Sequence, residues 1–280
     1  MEPKYLRFKE KIQQLRLLDD FFMSKFFDGR IEETEFVLRI ILDKPDLQVQ
    51  TVKTEYDLKS IRGRSVRLDV YAVDSQGRHY DIEVQRADTG AVLKRARYNH
   101  SLLDANITAP GDDYELLPDT YVIFITENDV LGYGLPIYHL VQTIQENGKV
   151  LDDGSHTIYV NAADCSNTPL GKLMADFRAK SYNDMYFDVL AKRARYLKGD
   201  EEGVMNMCKF TEEVMAEGRM EGRVEGRAEG RAEGRAEGYT DVAVRMIKEK
   251  MPFELIQKFT KLSLERLQEL SKDCGVALVM

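Results

Sequence analysis

The chain has 280 residues, is 43% hydrophobic and carries a net charge of −8. This supports one sizeable core and argues against a protein that coats nucleic acid nonspecifically. No apolar run approaches the ~20 residues that a membrane-spanning helix needs. The charged N-terminal segment contains no signal-peptide core, and three widely spaced cysteines do not indicate a disulfide framework. We therefore expect a cytoplasmic protein that makes no membrane contact.

The spacing of apolar residues predicts a mixed α/β order of elements. In chain order, the pattern predicts helices at 5–27 and 31–42, strands at 47–56, 66–73 and 79–85, a helix at 91–107, strands at 120–126 and 156–162, and closing helices at 171–177 and 185–197. The run TYVIFIT is typical of a strand that is buried on both faces. The order predicts an α/β fold in which helices flank a mixed sheet.

A tetrapeptide repeat, EGRMEGRVEGRAEGRAEGRAEG, begins at Glu217. Glycine at every fourth position costs about 1 kcal/mol each relative to alanine, and the spacing offers no opposite-charge pair three or four residues apart. We therefore predict a first domain over 1–210, followed by a weakly helical spacer of variable length over 211–238.

The last segment, 239–280, is predicted to form three short helices. Pro252 would begin the second helix and Ser263 would cap the third. A small self-packing tail is favoured over a helix-turn-helix or a small docking bundle, because the segment shows no basic recognition face.

The predicted hairpin carries two acids, Asp69 and Glu83, within runs that otherwise look like strands. Carboxylates are poor strand formers and are rarely buried unless they are paired or bind a metal. A two-residue loop would set Asp69 opposite Val84 and place the acids on opposite faces. A three-residue loop over 75–77 ends on a glycine, as this loop class favours, and sets Asp69 opposite Glu83. The turn chemistry favours facing acids; the alternative is a surface hairpin with its charges in solvent.

Two facing carboxylates would repel one another, and a divalent cation would relieve that repulsion. Oxygen donors without a nearby histidine or cysteine suit Mg²⁺ or Mn²⁺. Gln85 shares the strand face of Glu83, where it is placed to orient a water or a phosphate oxygen. His79 and Asp81, on the same strand, are expected to be exposed.

These residues resemble a known signature. Asp69, a short hairpin and then Glu83-Val84-Gln85 are similar to the PD-(D/E)XK nuclease motif, with glutamine in place of the final lysine. The longer stretches RLDVYAVDSQGRHYDIEVQ, PDTYVIFITENDVLGYGLPIY and SHTIYVN resemble the Rpn-type recombination-promoting nuclease and transposase family. The likeness covers roughly residues 20–205, and the EGR-type tail is also similar to tails in that family.

The resemblance implies a restriction-endonuclease-like αβββαβ core with a helical C-terminal tail. It also implies a magnesium-dependent DNA endonuclease that hydrolyses phosphodiester bonds in DNA recombination or transposition. Asp69, Glu83 and the Val84 carbonyl would hold the metal ion, and Gln85 would stand where the lysine usually does. Because a neutral glutamine positions groups without stabilising phosphate charge, activity is expected to be slow or to depend more on the metal.

The resemblance also implies an acid from a helix at the metal site. Glu32 is favoured because it shares a helical face with Phe36 and Ile40, while Glu33 and Glu35 are left as alternatives.

The same resemblance implies phosphate contacts by Arg95 and Tyr98 on the helix after the hairpin, and by Arg86. The two arginines belong to the second of two basic patches, 59–67 and 86–97, that flank the hairpin. DNA is the expected partner, and self-association into a homo-oligomer is left open. The missing lysine and the net charge favour an alternative, a non-catalytic nucleic-acid-binding or interaction protein on a nuclease fold.

Overall fold

A computed structural model describes residues 3–60, 65–86 and 90–279 of the chain. The predicted basic patches fall partly on 61–64 and 87–89, which lie outside the described residues. Backbone contacts divide the chain into two units, Met1–Phe210 and Thr211–Met280.

Three helices precede the sheet. They are α1 (Pro3–Gln14), α2 (Asp20–Phe27) and α3 (Ile31–Leu42). The prediction of one continuous helix over 5–27 is wrong, because the chain leaves the helical path between α1 and α2. Long-range bonds hold this break: the Leu18 amide donates to the Phe177 carbonyl at 3.2 Å, and the buried Lys198 ammonium donates to the Leu15 carbonyl. The prediction for α3 is confirmed, and the helix ends at Asp43, which has a left-handed φ of 50°.

A six-stranded sheet follows. Numbered in chain order, the strands are β1 (Val49–Leu58), β2 (Val66–Asp74), β3 (His79–Gln85), β4 (Thr120–Thr126), β5 (Ile137–Leu140), β6 (Gln142–Thr143), β7 (Val150–Leu151) and β8 (Ser155–Asn161). The short strands β6 and β7 form a ribbon of their own. The sheet order is β1-β2-β3-β4-β8-β5. The first three strands are antiparallel neighbours, β3, β4 and β8 are parallel, and β5 is antiparallel to β8. The predicted mixed sheet is confirmed, while β5, β6 and β7 were not predicted.

Helices cover both faces of the sheet. The remaining helices of the first unit are α4 (Leu93–Ile107), α5 (Pro169–Arg178) and α6 (Asp188–Gly199). One hydrophobic cluster joins α2, α3, α5 and α6 to alternate residues of the central strands, such as Ile82 and Val84. A second cluster joins α4 to the opposite face through Leu103 and Phe124. The period-two alternation of strand side chains produces these two layers, and the polar residues of β2 and β3 described next lie among them.

The C-terminal helices are α7 (Glu201–Lys248), α8 (Phe253–Thr260) and α9 (Leu264–Cys274). The repeat lies inside α7, a single helix of 48 residues, so it is more helical than its glycine content predicts. Packing at each end offsets that low propensity: Met207 is buried in the first unit, and Ile247 is buried against α8 and α9. The assignment of 211–238 as a spacer stays a prediction.

The predicted helix starts in the tail are confirmed: Pro252 precedes α8, and the Ser263 hydroxyl accepts a hydrogen bond from the Arg266 amide at 3.3 Å. In the part of the chain that the structure describes, no helix is both long enough and apolar enough to cross a membrane.

Candidate active site

The hairpin register is the one that the turn chemistry predicts. Val70 pairs with Ile82, Val73 pairs with His79, and the Asp74 amide donates to the Arg78 carbonyl at 3.1 Å. The loop therefore has three residues, 75–77, and Gly77 has a φ of 75°. The backbone pairing of β2 with β3 ends at Val70 and Ile82. Beyond that point, the Val84 amide donates to Oδ2 of Asp69 at 3.0 Å. The prediction of a three-residue loop is confirmed, and Asp69 occupies the opening between the two strands.

Asp69 and Glu83 lie close enough to influence one another. Burial, followed by the negative charge of Glu83, raises the pKa of Asp69 to about 8. Glu83 is 0% exposed. Burial, followed by the charge of Asp81, raises the pKa of Glu83 to about 8. Both carboxyls therefore lack sufficient positive charge around them, which contradicts the alternative of a hairpin whose charges face solvent.

Asp81 is a third acid of this cluster, and the prediction that it is exposed is wrong. Its side chain is fully buried, and burial is the main cause that raises its pKa to about 7. The side-chain amide of Asn99 donates to its Oδ2 at 2.9 Å. Its other oxygen, Oδ1, and Oδ1 of Asn99 are buried and have no hydrogen-bond partner among the described residues. His79 is half-buried and shares a hydrogen bond of 2.6 Å with the Tyr71 hydroxyl.

Helix α4 brings a cation and an amide to the acids from its first turns. Arg95 and Asn99 are four residues apart and therefore lie on one face of the helix. The Nη2 of Arg95 forms an ion pair with Oε2 of Glu83. Asn99 approaches Oε1 of the same carboxylate at 3.5 Å. Tyr98 is exposed on the same helix.

The structure brings a different helix-borne acid to the cluster from those predicted. Asp20 begins α2, and its charge is one of the causes that raise the pKa of Asp69. The pKa of Asp20 is itself raised, chiefly by partial burial of its carboxyl. An acid directly after a break between two helices was the signal for Asp20, and the prediction of an unbroken helix concealed it.

The three acids suggested on α3 make contacts elsewhere. Glu32 and Glu33 line a cavity of about 410 Å³ between α3 and α6, and Glu33 is paired with Arg30 at 2.7 Å. Glu35 accepts a hydrogen bond from the Val49 amide at 2.9 Å. The structure therefore does not place Glu32, the favoured residue, with Asp69 and Glu83.

The remaining predicted residues lie at the end of β3. Gln85 is half-buried, and its carbonyl accepts a hydrogen bond from the Glu127 amide. Arg86 is exposed but not unpaired, because it contacts Asp19 at 2.8 Å and Glu127 at 3.3 Å. Contact of Arg86 with a phosphate would require it to exchange these partners.

Comparison with known proteins identifies the family. Residues 35–217 match the family model described as PD-(D/E)XK nuclease family transposase. The chain belongs to this family. The predicted resemblance is thus confirmed, and the mixed sheet with its flanking helices is consistent with a PD-(D/E)XK fold. No curated protein and no solved structure matches the chain. Family membership supports a nuclease-like function and a DNA substrate at a coarse level.

PD-(D/E)XK nucleases typically use divalent metal ions, so the fit of this site to such an ion can be tested on its donors. In the described ranges, no group of three or more His, Cys, Asp or Glu side chains forms an arrangement that holds a metal. The donor chemistry is nevertheless suitable, because Asp69, Asp81 and Glu83 offer only oxygens and one of these oxygens is buried without a partner. The N–H and C=O of a strand residue point to the same side, so the Val84 carbonyl also faces the opening beside Asp69. These residues fit a hard divalent cation.

Proposed function

We propose that this protein is a metal-dependent DNA endonuclease that hydrolyses phosphodiester bonds, with a role in DNA recombination or transposition. The observation that carries the proposal is that Asp69 and Glu83 lie near one another where β2 and β3 separate. The Val84 amide donates to Asp69 there at 3.0 Å, and each carboxyl has a pKa raised to about 8. Burying carboxylates together destabilises a protein unless a cation or a proton compensates them. Such an arrangement is unfavourable for a fold and useful for holding a metal ion.

In this proposal, Asp69, Glu83 and the Val84 carbonyl would hold Mg²⁺ or Mn²⁺. Asp20 takes the role of the helix-borne acid that the sequence assigned to Glu32, because its charge acts on Asp69. A bound divalent cation would neutralise charge on the scissile phosphate and lower the pKa of the attacking water.

The chain's other residues bind and orient the substrate. Gln85 would orient the attacking water through its amide, because it follows Glu83 on the same strand face. Arg95 and Tyr98 would contact a phosphate from α4, and Arg86 would do so from the end of β3. Since a neutral amide cannot stabilise phosphate charge as a lysine does, we expect slow cleavage and a strong dependence on the metal.

A second candidate function is a nucleic-acid-binding protein on a nuclease fold that does not cleave. Gln85 in the lysine position and the net charge of −8 favour it. The buried acids argue against it, because carboxylates near a phosphate weaken binding and bring no gain without catalysis. A cytoplasmic location and a homo-oligomeric state stay predictions from the sequence.

The test is Mg²⁺-dependent nicking of supercoiled plasmid DNA by the wild type, Asp69→Asn and Glu83→Gln. Asp57→Asn is the matched control, because Asp57 is an acid of the same sheet whose side chain is 59% exposed and pairs with Arg67 on the surface. Both site variants are expected to lose more than about 100-fold in rate, while the control keeps the wild-type rate. DNA binding without any metal-dependent cleavage would instead establish the second candidate.

A further inference from the structure

Arg95 is at the electrostatic centre of the acid cluster. Its guanidinium contacts Glu83 directly. Burial raises the pKa values of three further carboxyls, those of Asp20, Asp69 and Asp81, and the positive charge of Arg95 opposes that rise at each of them. One side chain thus compensates acids that come from α2, β2 and β3.

Two side chains of α4 contact the Glu83 carboxylate. The Arg95 guanidinium takes Oε2, while Oε1 faces the amide of Asn99 at 3.5 Å. A second guanidinium nitrogen donates to the Gly90 carbonyl at 3.3 Å, and the Phe124 ring lies 5.7 Å below the guanidinium carbon. Arg95 is therefore the cation that contacts Glu83, and a metal ion would compete with it for this carboxylate.

The position of Arg95 leaves its guanidinium a path to solvent. The Arg95 side chain is 33% exposed, whereas that of Glu83 is fully buried. Losing the guanidinium would leave a buried carboxylate uncompensated, which is costly unless another cation replaces it. The arginine can move its charge towards solvent, where hydration offsets the loss of its contacts with Gly90 and Phe124.

We propose that Arg95 is an internal counter-ion that holds Glu83 until a divalent cation binds, and that cation binding releases its guanidinium towards the DNA phosphate. This inference rests on the proposed function and adds an order of events: metal binding and the phosphate contact of Arg95 are linked by exchange at one carboxylate. Arg95 would then give the phosphate the positive charge that the missing lysine would supply, and it would do so only when the metal is bound.

The test compares Mn²⁺ affinity in the full-length protein by isothermal titration calorimetry without DNA. The variants are Arg95→Gln and Arg95→Met, and the control is Arg97→Gln, which removes one charge from an exposed position of the same helix. Loss of the competing ion pair is expected to tighten Mn²⁺ binding at least about tenfold in both Arg95 variants. The control is expected to stay within about threefold of the wild type, since exposed charges are screened.

The outcomes separate this inference from the proposed function. If the wild type binds Mn²⁺ and the Arg95 variants bind it no more tightly than Arg97→Gln does, only the counter-ion role is overturned. If neither the wild type nor the Arg95 variants bind Mn²⁺, the metal-dependent function is overturned as well. Should one Arg95 variant fail to fold, as judged by circular dichroism, the other carries the comparison, and methionine keeps a long unbranched side chain beside Phe124. A structural role alone predicts weaker Mn²⁺ binding in both Arg95 variants, the opposite direction.

Discussion

The backbone amide of Val84 donates to the carboxylate of Asp69, 3.0 Å away, at the point where β2 and β3 separate. The Asp69 carboxylate thus takes the place of the backbone carbonyl that would accept the next hydrogen bond between β2 and β3. Its orientation is set by the backbone, and this hydrogen bond uses only one of its two oxygens. This relationship makes the two roles of Asp69, as a hydrogen-bond acceptor and as a charge, separable by mutation.

Asp69→Asn keeps an oxygen for the Val84 amide and removes one of two facing charges. We expect the metal-free variant to unfold at the same temperature as the wild type or a higher one, because an amide neither repels Glu83 nor has to take up a proton on folding. The increase in melting temperature on adding Mg²⁺ should disappear, since that increase comes from binding to the native state alone. Thermal unfolding with EDTA and with MgCl₂ measures both effects. A full Mg²⁺ response in Asp69→Asn would refute a shared site.

Asp69→Ala serves as the comparison and should destabilise the protein by about 1–3 kcal/mol, because it leaves the Val84 amide without its acceptor.

The origin of the helix-borne acid can be tested with a pair of variants. Asp20→Asn should reduce the Mg²⁺-induced rise in melting temperature and the cleavage rate, because its charge acts on Asp69. Glu32→Gln should change neither by more than about twofold, since an exposed charge far from the cation is screened. The reverse result would restore the assignment of Glu32 made from the sequence.

Deleting Gln76 tests the register. A two-residue loop would shift the pairing by one residue and move Glu83 to the face opposite Asp69, or force a bulge. We expect cleavage to be lost while much of the helical signal in circular dichroism is kept. Gln76→Ala, which preserves loop length at an exposed position, is the control. Normal cleavage by the deletion variant would mean that loop length does not align the acids.

The pH dependence follows from the raised pKa values of Asp69 and Glu83, about 8 in the folded protein. In the unfolded chain these groups ionise near pH 4. Between about pH 4 and 8, the folded state keeps protons that the unfolded state releases, so the metal-free protein loses stability as the pH rises through this window. Metal ligands must be ionised, so the Mg²⁺-induced rise in melting temperature should be larger at pH 9 than at pH 6. Unfolding temperatures measured across this range, with and without Mg²⁺, check both trends. A Mg²⁺ response that does not change with pH would contradict the pKa assignment.

Truncation after Phe210 tests the role of the tail. The shortened chain keeps Met207 and Cys208, which complete the first core, and Phe210, which stacks on Phe21 at 4.9 Å. Cleavage of a short oligonucleotide should stay within a few-fold of the full-length rate, because the proposed site residues all precede this point. Binding to long DNA, or assembly followed by light scattering, should weaken, as expected when a second contact no longer raises the effective concentration. A folded but inactive fragment would place the tail in the catalytic unit.

The sequence predicted what depends on local chemistry and missed what depends on distant contacts. The register was predictable because Gly77 adopts the positive φ that a three-residue loop requires. The burial of Asp81 was not, since it depends on Asn99 reaching across from α4. The alternation of side chains along β3 did contain a signal for the position of Asp81, because Asp81 and Glu83 are two residues apart and must share a face. The break before Asp20 depends on a backbone bond between Leu18 and Phe177, which no local pattern encodes.

The position of α2 has a practical consequence for anyone who expresses part of this chain. The family match begins at residue 35, whereas Phe22 and Phe26 of α2 are fully buried and Asp20 begins the same helix. A clone trimmed to the matched residues would lose large apolar side chains from the first core, and it would expose the surface that they cover. Aggregation or inactivity of such a fragment would then result from the misplaced boundary. Conclusions about the chemistry of this protein should be drawn only from proteins that begin before α2.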